Sequence, residues 1–530
     1  MRSSIFHLSR AKSSSFFTTP IFYVNADPHI GHLYSIVVAD TLARYSKLKN
    51  PASAVYFSTG TDEHGLKVQQ SANARGLSPL SLCDDISTRF RQLATAANSS
   101  HTDFIRTTDS AHISTVHSLW NTLYENGYIY KGSHEGWYAV SDEAFYPDNA
   151  VSDYHDAATG QSYKVSTETG KRVEWMSEVN YKFRLSQFRQ RLIDWLLLDP
   201  HVIHPSQQYN SILSSLQSNQ AANSDLSISR PRSRLNWGIP VPNDPDHTIY
   251  VWVDALTNYY SVAQSHGEDV WPADVHVVGK DIIRFHAIYW PALLLAANLP
   301  LPKTILSHAH WTMNSSKMSK STGNVVDPFK AIHKYSSDAL RFYLLRVGGN
   351  FSNDADFKPL ELELKYKSTL QGMLGNLLSR ISGKKILRKV TSTPFIADRL
   401  DEKGEPLRSK LDSLRLRYTT SMDAFEIGKA LEAIEDALHE ANRYFAKVEP
   451  WSDQTSTDDT IQSVIHARES LRIIGILLQP VMPAKSKELL DRLGVDASTR
   501  SLADASLNLT LTQSLTPNAL SGVLFPPLSE

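Results

Sequence analysis

Apolar residues recur after residue 29 with the spacing of a helix that buries one face. The preceding run TPIFYV (19–24) is typical of a strand, and Asp27 and Pro28 favour a helix that begins there, as its N-cap and its first residue. The pattern therefore predicts a strand that leads directly into an amphipathic helix. The side chains expected to form its buried face are those of Ile30, Leu33, Tyr34, Val37, Val38, Leu42 and Tyr45.

Two histidines, His29 and His32, lie three residues apart in the first turn of this predicted helix, on either side of Gly31. A helix N-terminus presents unpaired N–H groups and a partial positive charge, and two imidazoles would add donors, so this turn suits phosphate. Gly31 would let a ligand approach the backbone closely. The alternative is a surface residue at His29 and a core histidine with satisfied hydrogen bonds at His32.

Short apolar runs of strand type alternate with helical stretches in the N-terminal part of the chain. Two of them, AVYFS (54–58) and VHVV (275–278), lead into glycine and polar residues. This alternation predicts an α/β fold with a parallel sheet, in which ligands bind beyond the carboxyl ends of the strands. The segments STGTDEHG (58–65) and GKDIIRFH (279–286) should lie at those ends.

Two changes of composition divide the chain further. Aromatic and turn residues mark region 121–232, which we interpret as an insertion between two halves of the α/β fold. Its stretch 206–224, rich in Ser, Gln and Asn, predicts a mobile or loosely helical connector. From about Tyr366 onwards long helical patterns replace strand patterns, which predicts an all-helical C-terminal domain.

The overall composition is that of an ordinary globular protein. A chain of 530 residues should divide into about two to four domains, and no apolar run reaches the ~18 residues needed to span a bilayer. The single cysteine, Cys83, excludes an internal disulfide and a CxxC zinc knuckle, and agrees with a reducing compartment. The formal net charge of -1 gives no sign of nucleic-acid binding, which depends on where charge lies.

The first seventeen residues, MRSSIFHLSRAKSSSFF, contain basic residues and serines but no acidic residue. This composition predicts a mitochondrial transit peptide, with a disordered basic tail as the alternative. In either case we expect the fold to begin near Phe17.

A second motif supports a functional interpretation of His29 and His32. SSKMSKSTGN (315–324) places Lys317 and Lys320 in a Ser- and Gly-rich stretch, which on its own indicates a solvated flexible loop. Together, HIGH (29–32) and KMSKS (317–321) resemble the two signatures of the class I aminoacyl-tRNA synthetases. Over roughly 18–480 the chain is similar to methionyl-tRNA synthetases in the segments TTPIFYVNADPHIGH, STGTDEHG, DLSISR, NWGIPVP, VWVDALTNYY, VVGKDIIRFHAIYWPALL, KMSKSTGN and SSDALRFYLLR.

The resemblance implies an α/β class I synthetase with a Rossmann-type catalytic domain, an inserted connective domain and an all-α anticodon-binding helical bundle. It implies ATP-dependent activation of L-methionine to methionyl-adenylate and transfer to tRNA(Met). From the predicted transit peptide we expect the mitochondrial matrix as the compartment, and we expect a monomer because no appended module follows the helical domain. The implied segments are a transit peptide (1–17), the first catalytic half (18–120), the inserted domain without a zinc knuckle (121–232), the second catalytic half (233–335), a connecting stem-contact region (336–365) and the helical anticodon-binding domain (366–530).

The same resemblance implies the site residues. His29, His32, Lys317 and Lys320 would be catalytic, stabilising the phosphates of ATP as charge develops, and Mg²⁺ is expected with the pyrophosphate leaving group. The residues implied in ATP binding are His29, Gly31, His32, Gly279, Asp281 and Lys320, and the resemblance places Gly279 and Asp281 in the segment on the adenosine side.

Methionine carries an unbranched thioether, which aromatic and aliphatic walls suit, and Asp62 would hold its ammonium group. For any single aromatic residue, ordinary core packing is the alternative. The walls implied by the resemblance are Ile21, Tyr23, Trp252, Ala255, Leu256, Tyr259, Ile282, Phe285, His286 and Tyr289.

For tRNA, the resemblance assigns anticodon reading to Asn376, Arg380 and Trp451. Asn376 and Arg380 are four residues apart, hence on one helix face, and Trp451 could stack on an unpaired base. Basic residues also cluster here, and we favour contacts to RNA phosphates over a merely solvated face. The cluster consists of Arg380, Lys384, Lys385, Arg388 and Lys389.

The chain departs from many family members in one respect: the inserted region GWYAVSDEAFYPD (136–148) has no cysteine. We therefore predict no zinc, and an insertion held by Trp137, Tyr138, Phe145 and Tyr146.

Three rival interpretations remain. An enzyme for leucine, isoleucine or valine would need a large editing insertion, and one for cysteine would need thiolate zinc ligands. A non-catalytic RNA-binding relative would have no physical reason to keep the two histidines and two lysines. A cytosolic form is the third rival.

Overall fold

A computed structural model describes residues 14–140, 144–146, 148–156, 160–218, 221–267, 269–318, 324–391, 402–508 and 522–528. The α-helices of these residues are α1 (Ile30–Lys49), α2 (Leu66–Ala74), α3 (Pro79–Ala96), α4 (Ser110–Glu125), α5 (Arg189–Leu198), α6 (Ser206–Gln217), α7 (Val251–Ser265), α8 (Trp290–Ala296), α9 (Pro328–Tyr335), α10 (Ser337–Gly348), α11 (Pro359–Lys365), α12 (Asn376–Ile381), α13 (Lys384–Thr391), α14 (Glu405–Asp423), α15 (Ile427–Val448), α16 (Thr457–Leu478) and α17 (Pro483–Arg492).

The strands of the same residues are β1 (Ser14–Thr18), β2 (Phe22–Tyr23), β3 (Ala54–Asp62), β4 (Asp103–Arg106), β5 (Ile129–Ala139), β6 (Ala144–Tyr146), β7 (Val151–His155), β8 (Ser162–Ser166), β9 (Arg172–Phe183), β10 (Ile203–His204), β11 (Leu226–Ser227), β12 (Ser229–Pro231), β13 (Pro240–Val241), β14 (Asp244–Ile249), β15 (Val275–Gly279), β16 (Ile305–His308), β17 (Trp311–Met313), β18 (Ser316–Lys317) and β19 (Ala355–Asp356).

The chain divides into two compact units. The first contains the described residues of Met1–Pro28, Tyr56–Gln92 and His101–Ser307, and the second those of His29–Val55, Leu93–Ser100 and His308–Glu530. In the part of the chain that the structure describes, no helix has the length and apolar composition needed to cross a bilayer.

The main sheet belongs to the first unit and confirms the predicted α/β class. Its strands follow the order β10-β16-β15-β1-β3-β2, with β4 against β3. The pairs β1–β15, β2–β3, β3–β4 and β10–β16 are parallel. The two runs predicted as strands lie in β3 and β15. The segment 279–286 begins at the last residue of β15, whereas 58–62 of the other segment form the end of β3 and 63–65 follow it.

The beginning of the sheet differs from the sequence-based expectation. Strand β1 starts at Ser14, and Phe16 is fully buried, so the fold begins before the predicted boundary at Phe17. Residues 1–13 of the predicted transit peptide lie outside the described residues.

The predicted insertion contains an antiparallel sheet of order β6-β5-β9-β8-β7, with β11 on β9. Trp137 and Tyr146 are register partners, and Tyr138 contacts Phe145 at 4.9 Å between ring centroids. For 206–224 we predicted a mobile or loosely helical connector; residues 206–217 are helical, but they form the regular helix α6 rather than a loose one. Tyr209, Ile212 and Leu216 recur at helical spacing and are buried, which explains why this polar stretch is ordered.

The second unit contains α1 and the helices from α9 onwards. All seven residues of the predicted stripe on α1 are buried, which confirms that helix and its period. Long helices, α14, α15 and α16, dominate the C-terminal part and confirm the predicted all-helical domain.

Candidate functional site

Tyr23 and Asp62 are neighbours at the end of the parallel pair β2–β3, where they are register partners. Asp62 is the last residue of β3, and only 7% of its surface is exposed. The next residue, Glu63, is fully buried and accepts two bonds from Arg106, at 2.7 Å from Nε and 3.0 Å from Nη2. This ion pair fixes the backbone directly after Asp62.

The third residue of this turn, His64, connects the turn to helix α7. Its Nδ1 lies 2.7 Å from Asp254 Oδ2, and His112 Nε2 lies 2.7 Å from the other oxygen of that carboxylate. Burial disfavours the carboxylate, but His64 and His112 outweigh burial and hold the pKa of Asp254 below its usual value. Asp254 therefore joins the Asp62 turn to the helix that carries Trp252.

Sequence reasoning missed these buried groups. The only local signal is the run of three polar residues, Asp62, Glu63 and His64, immediately after an apolar strand. Their partners cannot be found locally, because His112 and Asp254 lie 142 residues apart in the chain.

An aromatic wall forms between α7 and the segment after β15. Trp252 and Phe285 stack with ring centroids 3.7 Å apart and an angle of 12° between planes. Phe285 and Tyr289 meet edge to face at 5.3 Å. Residues Phe285–Tyr289 form a π-helical turn, a feature that often marks functional sites.

Two polar groups lie inside this wall. The hydroxyl of Tyr259 is 2.7 Å from His286 Nε2, and His286 Nδ1 is 2.9 Å from the carbonyl oxygen of Ile282. Burial lowers the pKa of His286 to about 4, so the imidazole is neutral at physiological pH. Burial also raises the pKa of Tyr259, which keeps its hydroxyl protonated.

Most of the residues predicted to bind methionine come together on one apolar cluster of the first unit. Ile21 is the exception, because it packs on a separate cluster with Phe16, Ile105 and Val262. Ala255 and His286 are buried on the neighbouring elements. The residues that form or pack on the shared cluster are Tyr23, Trp252, Leu256, Tyr259, Ile282, Phe285 and Tyr289.

The residues predicted on the adenosine side follow the sheet. Gly279 ends β15, and Asp281 lies in the 3-10 turn Lys280–Ile282 that comes next. This turn leads into the aromatic wall through Ile282.

In the second unit, His29 and His32 cap the start of α1. His29 Nδ1 accepts from the Gly31 N–H at 3.1 Å, and His32 Nδ1 accepts from the His29 N–H at 3.1 Å. The two rings stack at 3.8 Å between centroids. With both Nδ1 atoms acting as acceptors, the neutral tautomer of each histidine carries its proton on Nε2.

Two sequence-based expectations about this turn were wrong. The N-cap is His29 rather than Asp27, and α1 starts at Ile30 rather than Pro28. Asp27 instead pairs with Arg89 at 2.6 Å. A Cβ atom at Gly31 would lie 2.9 Å from His29 Cε1, so the glycine makes room for the capping ring.

The segment after the predicted lysine loop is tied to this turn, since the Ile30 N–H donates to the carbonyl oxygen of Val326 at 3.2 Å. Lys317 ends β18, opposite Thr312 of β17. Lys320 lies outside the described residues.

The residues predicted to read the anticodon lie on α12 and on the loop after α15. The guanidinium carbon of Arg380 lies 4.6 Å from the ring centroid of Trp451 and 4.9 Å from that of Phe445. Trp451 is 38% exposed, and Asn376, at the start of α12, is also exposed. The structure thus brings Arg380 and Trp451 together at the surface.

These features agree with comparisons to known proteins. Residues 15–382 match the family model of class I tRNA synthetases (M), and residues 397–526 match that of the anticodon binding domain of methionyl tRNA ligase. The parallel sheet, the histidine-capped helix and the matched family model define a class I aminoacyl-tRNA synthetase. Within that class, the chain belongs to the methionyl-tRNA synthetase family.

Relatives support this membership over nearly the whole chain. A probable mitochondrial methionine–tRNA ligase of Schizosaccharomyces pombe is 47% identical over 94% of this chain and 93% of its own length. The mitochondrial methionine–tRNA ligase of Homo sapiens is 44% identical over 92% of this chain and 85% of its own. The solved structure of Mycobacterium tuberculosis methionyl-tRNA synthetase in complex with methionyl-adenylate has a TM-score of 0.88 and 35% identity, covering 97% of this chain and 100% of that one.

Among the described residues, no group of three or more His, Cys, Asp or Glu side chains has a geometry suited to a metal ion. The prediction that the insertion holds no zinc remains a prediction.

Proposed function

We propose that the chain activates L-methionine with ATP to methionyl-adenylate and transfers the methionyl group to tRNA(Met) in mitochondrial protein synthesis. The observation that carries this proposal is the aromatic wall of Trp252 and Phe285 around the neutral Tyr259–His286 pair. An apolar, polarizable wall with an uncharged polar pair suits a thioether and disfavours charged side chains.

Asp62 binds the ammonium group of methionine. Asp62 is the last residue of β3 and pairs in register with Tyr23, and the ion pair of Glu63 with Arg106 holds the following backbone in place. The predicted walls, including Ile21, Ala255, Leu256, Ile282 and Tyr289, enclose the rest of the amino acid. Ile21 is the weakest member of this set, because it packs on another cluster.

His29 and His32 act on ATP. Since their Nδ1 atoms cap α1, their neutral rings carry the proton on Nε2, and we assign these Nε2–H groups as the donors to phosphate. In the reaction, a carboxylate oxygen of methionine attacks the α-phosphorus, and the bond to the pyrophosphate oxygen breaks. Donors that are already oriented stabilise the negative charge that accumulates on the phosphate oxygens.

Lys317 and Lys320 assist with the triphosphate, and Gly31, Gly279 and Asp281 contribute to ATP binding, the last two on the adenosine side. Mg²⁺ usually retains several waters and binds through substrate phosphates, so it enters with ATP. When bound, it offsets charge on the pyrophosphate leaving group.

On the tRNA side, Asn376, Arg380 and Trp451 read the anticodon. The exposed face of Trp451 offers a platform for an unpaired base, and Arg380 extends that platform. The working compartment is the mitochondrial matrix, and the working form is a monomer.

The test is amino-acid-dependent exchange of pyrophosphate into ATP, measured on the full chain with each of the twenty amino acids. Exchange stimulated by methionine alone is the expected result. Stimulation by another amino acid would make the chain a synthetase of different specificity. A folded sample without exchange for any amino acid would favour the non-catalytic RNA-binding interpretation.

A further inference from the structure

Lys389, on α13, is bonded to the loop that carries Trp451. Its half-buried ammonium group donates to the carbonyl oxygen of Ser452 at 2.6 Å and to that of Thr455 at 3.4 Å. Both carbonyls belong to the connection between α15 and α16. This contact differs from the phosphate contact that we predicted for the basic cluster.

The loop itself is short and sharply turned. Glu449 has a left-handed backbone with φ of 50°, and the Ser452 N–H donates to its carbonyl oxygen at 2.8 Å. The Thr455 hydroxyl donates to the same carbonyl at 2.8 Å. These bonds close the turn on itself, whereas the ammonium of Lys389 connects the turn to α13.

The other basic residues of the cluster have different surroundings. Lys385 pairs with Asp453 at 2.8 Å, but both side chains are more than half exposed, so this pair contributes little to stability. Lys384 and Arg388 are exposed on the same helix. Arg388 therefore offers a matched control, because it neighbours Lys389 and faces solvent.

We infer that Lys389 is a positioning residue for anticodon recognition, which holds the Trp451 loop so that the indole lies against Arg380. This inference rests on the proposed role of Trp451 in reading the anticodon. A lysine suits the task because its long stem reaches the loop and its three N–H donors can bind two carbonyl oxygens at once. Without it, the carbonyls remain hydrated and Trp451 loses a fixed orientation.

The experiment compares Lys389→Met, Arg388→Met and Trp451→Ala in the full chain. Dissociation constants are measured for a tRNA(Met) transcript and for the same transcript with one anticodon base replaced, at several salt concentrations. Circular dichroism and melting temperatures establish that each variant is folded.

For Lys389→Met we expect roughly tenfold weaker binding of tRNA(Met), the order expected from the loss of one stacked base. The ratio of affinities for the two transcripts should fall, because the base reader is misplaced. The slope of log K against log salt should stay that of the wild type, because no phosphate contact is lost.

An unchanged ratio with a slope reduced by about 0.7 would make Lys389 a phosphate ligand and overturn the inference. Wild-type behaviour of Lys389→Met, combined with a reduced ratio in Trp451→Ala, would also overturn it while leaving the proposed function intact. An unchanged ratio in Trp451→Ala would instead refute the proposed anticodon role, and the inference with it. Arg388→Met is the control for a lost phosphate contact: it should keep the wild-type ratio while its salt slope falls by about 0.7.

Discussion

The Tyr259 hydroxyl donates a hydrogen bond to His286 Nε2 over 2.7 Å. The direction is fixed because His286 Nδ1 lies 2.9 Å from the Ile282 carbonyl oxygen, which can only accept. A neutral imidazole that donates through Nδ1 must accept through Nε2. The aromatic wall therefore contains an ordered, uncharged pair before any substrate arrives.

Removing the hydroxyl should weaken methionine binding. Tyr259→Phe leaves the buried Nε2 without its donor, at a cost of about 1–3 kcal/mol. We expect the KM for methionine in pyrophosphate exchange to rise roughly tenfold, while the KM for ATP stays the same. Tyr260→Phe is the control, since Tyr260 follows on the same helix but contacts Trp271, at 5.7 Å. An unchanged methionine KM in Tyr259→Phe would show that the pair does not order the pocket.

Stability should depend on pH through His286. Burial lowers the pKa of His286 to about 4 from the ordinary value of 6.5, so between these values the unfolded chain binds the proton and the folded chain does not. Stability is then complete above pH 6.5 and is lost as pH falls toward 4, by at most about 1.4 kcal/mol per pH unit for one proton. The pKa of His276 is also lowered by burial and acts in the same direction.

The measurement is urea unfolding at pH 7 and at pH 5. The wild type should lose more unfolding free energy between these values than His286→Asn, in which the titrating group is absent. An equal loss in both proteins would mean that His286 titrates alike in the folded and unfolded chains.

The parts of the fold that follow from sequence are those that short-range patterns determine. The stripe from Ile30 to Tyr45 depends only on helical period, and the strands at 54–58 and 275–278 depend only on apolar runs, so both were predictable. The residues of the aromatic wall were predicted from the family resemblance, because they lie in short segments that are similar to those of methionyl-tRNA synthetases.

Features that depend on distant partners could not be predicted. Asp27 is a good N-cap by local preference, but Arg89 occupies its carboxylate and His29 caps the helix instead. Asp254 links the turn after Asp62 to helix α7 only because it pairs with His64, which is 190 residues away. Likewise, Lys389 belongs to a basic run by sequence but bonds to a loop 63 residues further on.

The helix cap that His29 forms can be separated by substitution from the role of phosphate donor that we propose for it. His29→Ala removes both, whereas His29→Asn retains an oxygen acceptor of the kind preferred at N-caps. We expect both variants to lower kcat of adenylate formation by a factor on the order of 10² or more, with little change in the KM for methionine. His29→Asn should recover the melting temperature that His29→Ala loses. Recovery of kcat along with the melting temperature would reduce the role of His29 to capping.

Removal of metal ions distinguishes a cation that binds together with ATP from one that stabilises the fold. Chelation by EDTA should abolish adenylate formation, and Mg²⁺ alone should restore it, because we propose that the cation enters with ATP. The melting temperature should not respond to the chelator.

In the insertion, Trp137 meets Trp175 at 5.3 Å and donates from Nε1 to Asp148 at 2.9 Å, so protein contacts hold this region.

Metal analysis of the purified chain provides the decisive comparison. A structural zinc would appear at one ion per chain, and its removal would lower the melting temperature, because metal binding at such sites contributes directly to folding. Trp137→Ala should lower the melting temperature by the same amount with and without chelator. If the effect of Trp137→Ala disappeared in EDTA, the aromatic contacts would depend on a bound metal, and the prediction that the insertion lacks zinc would be wrong.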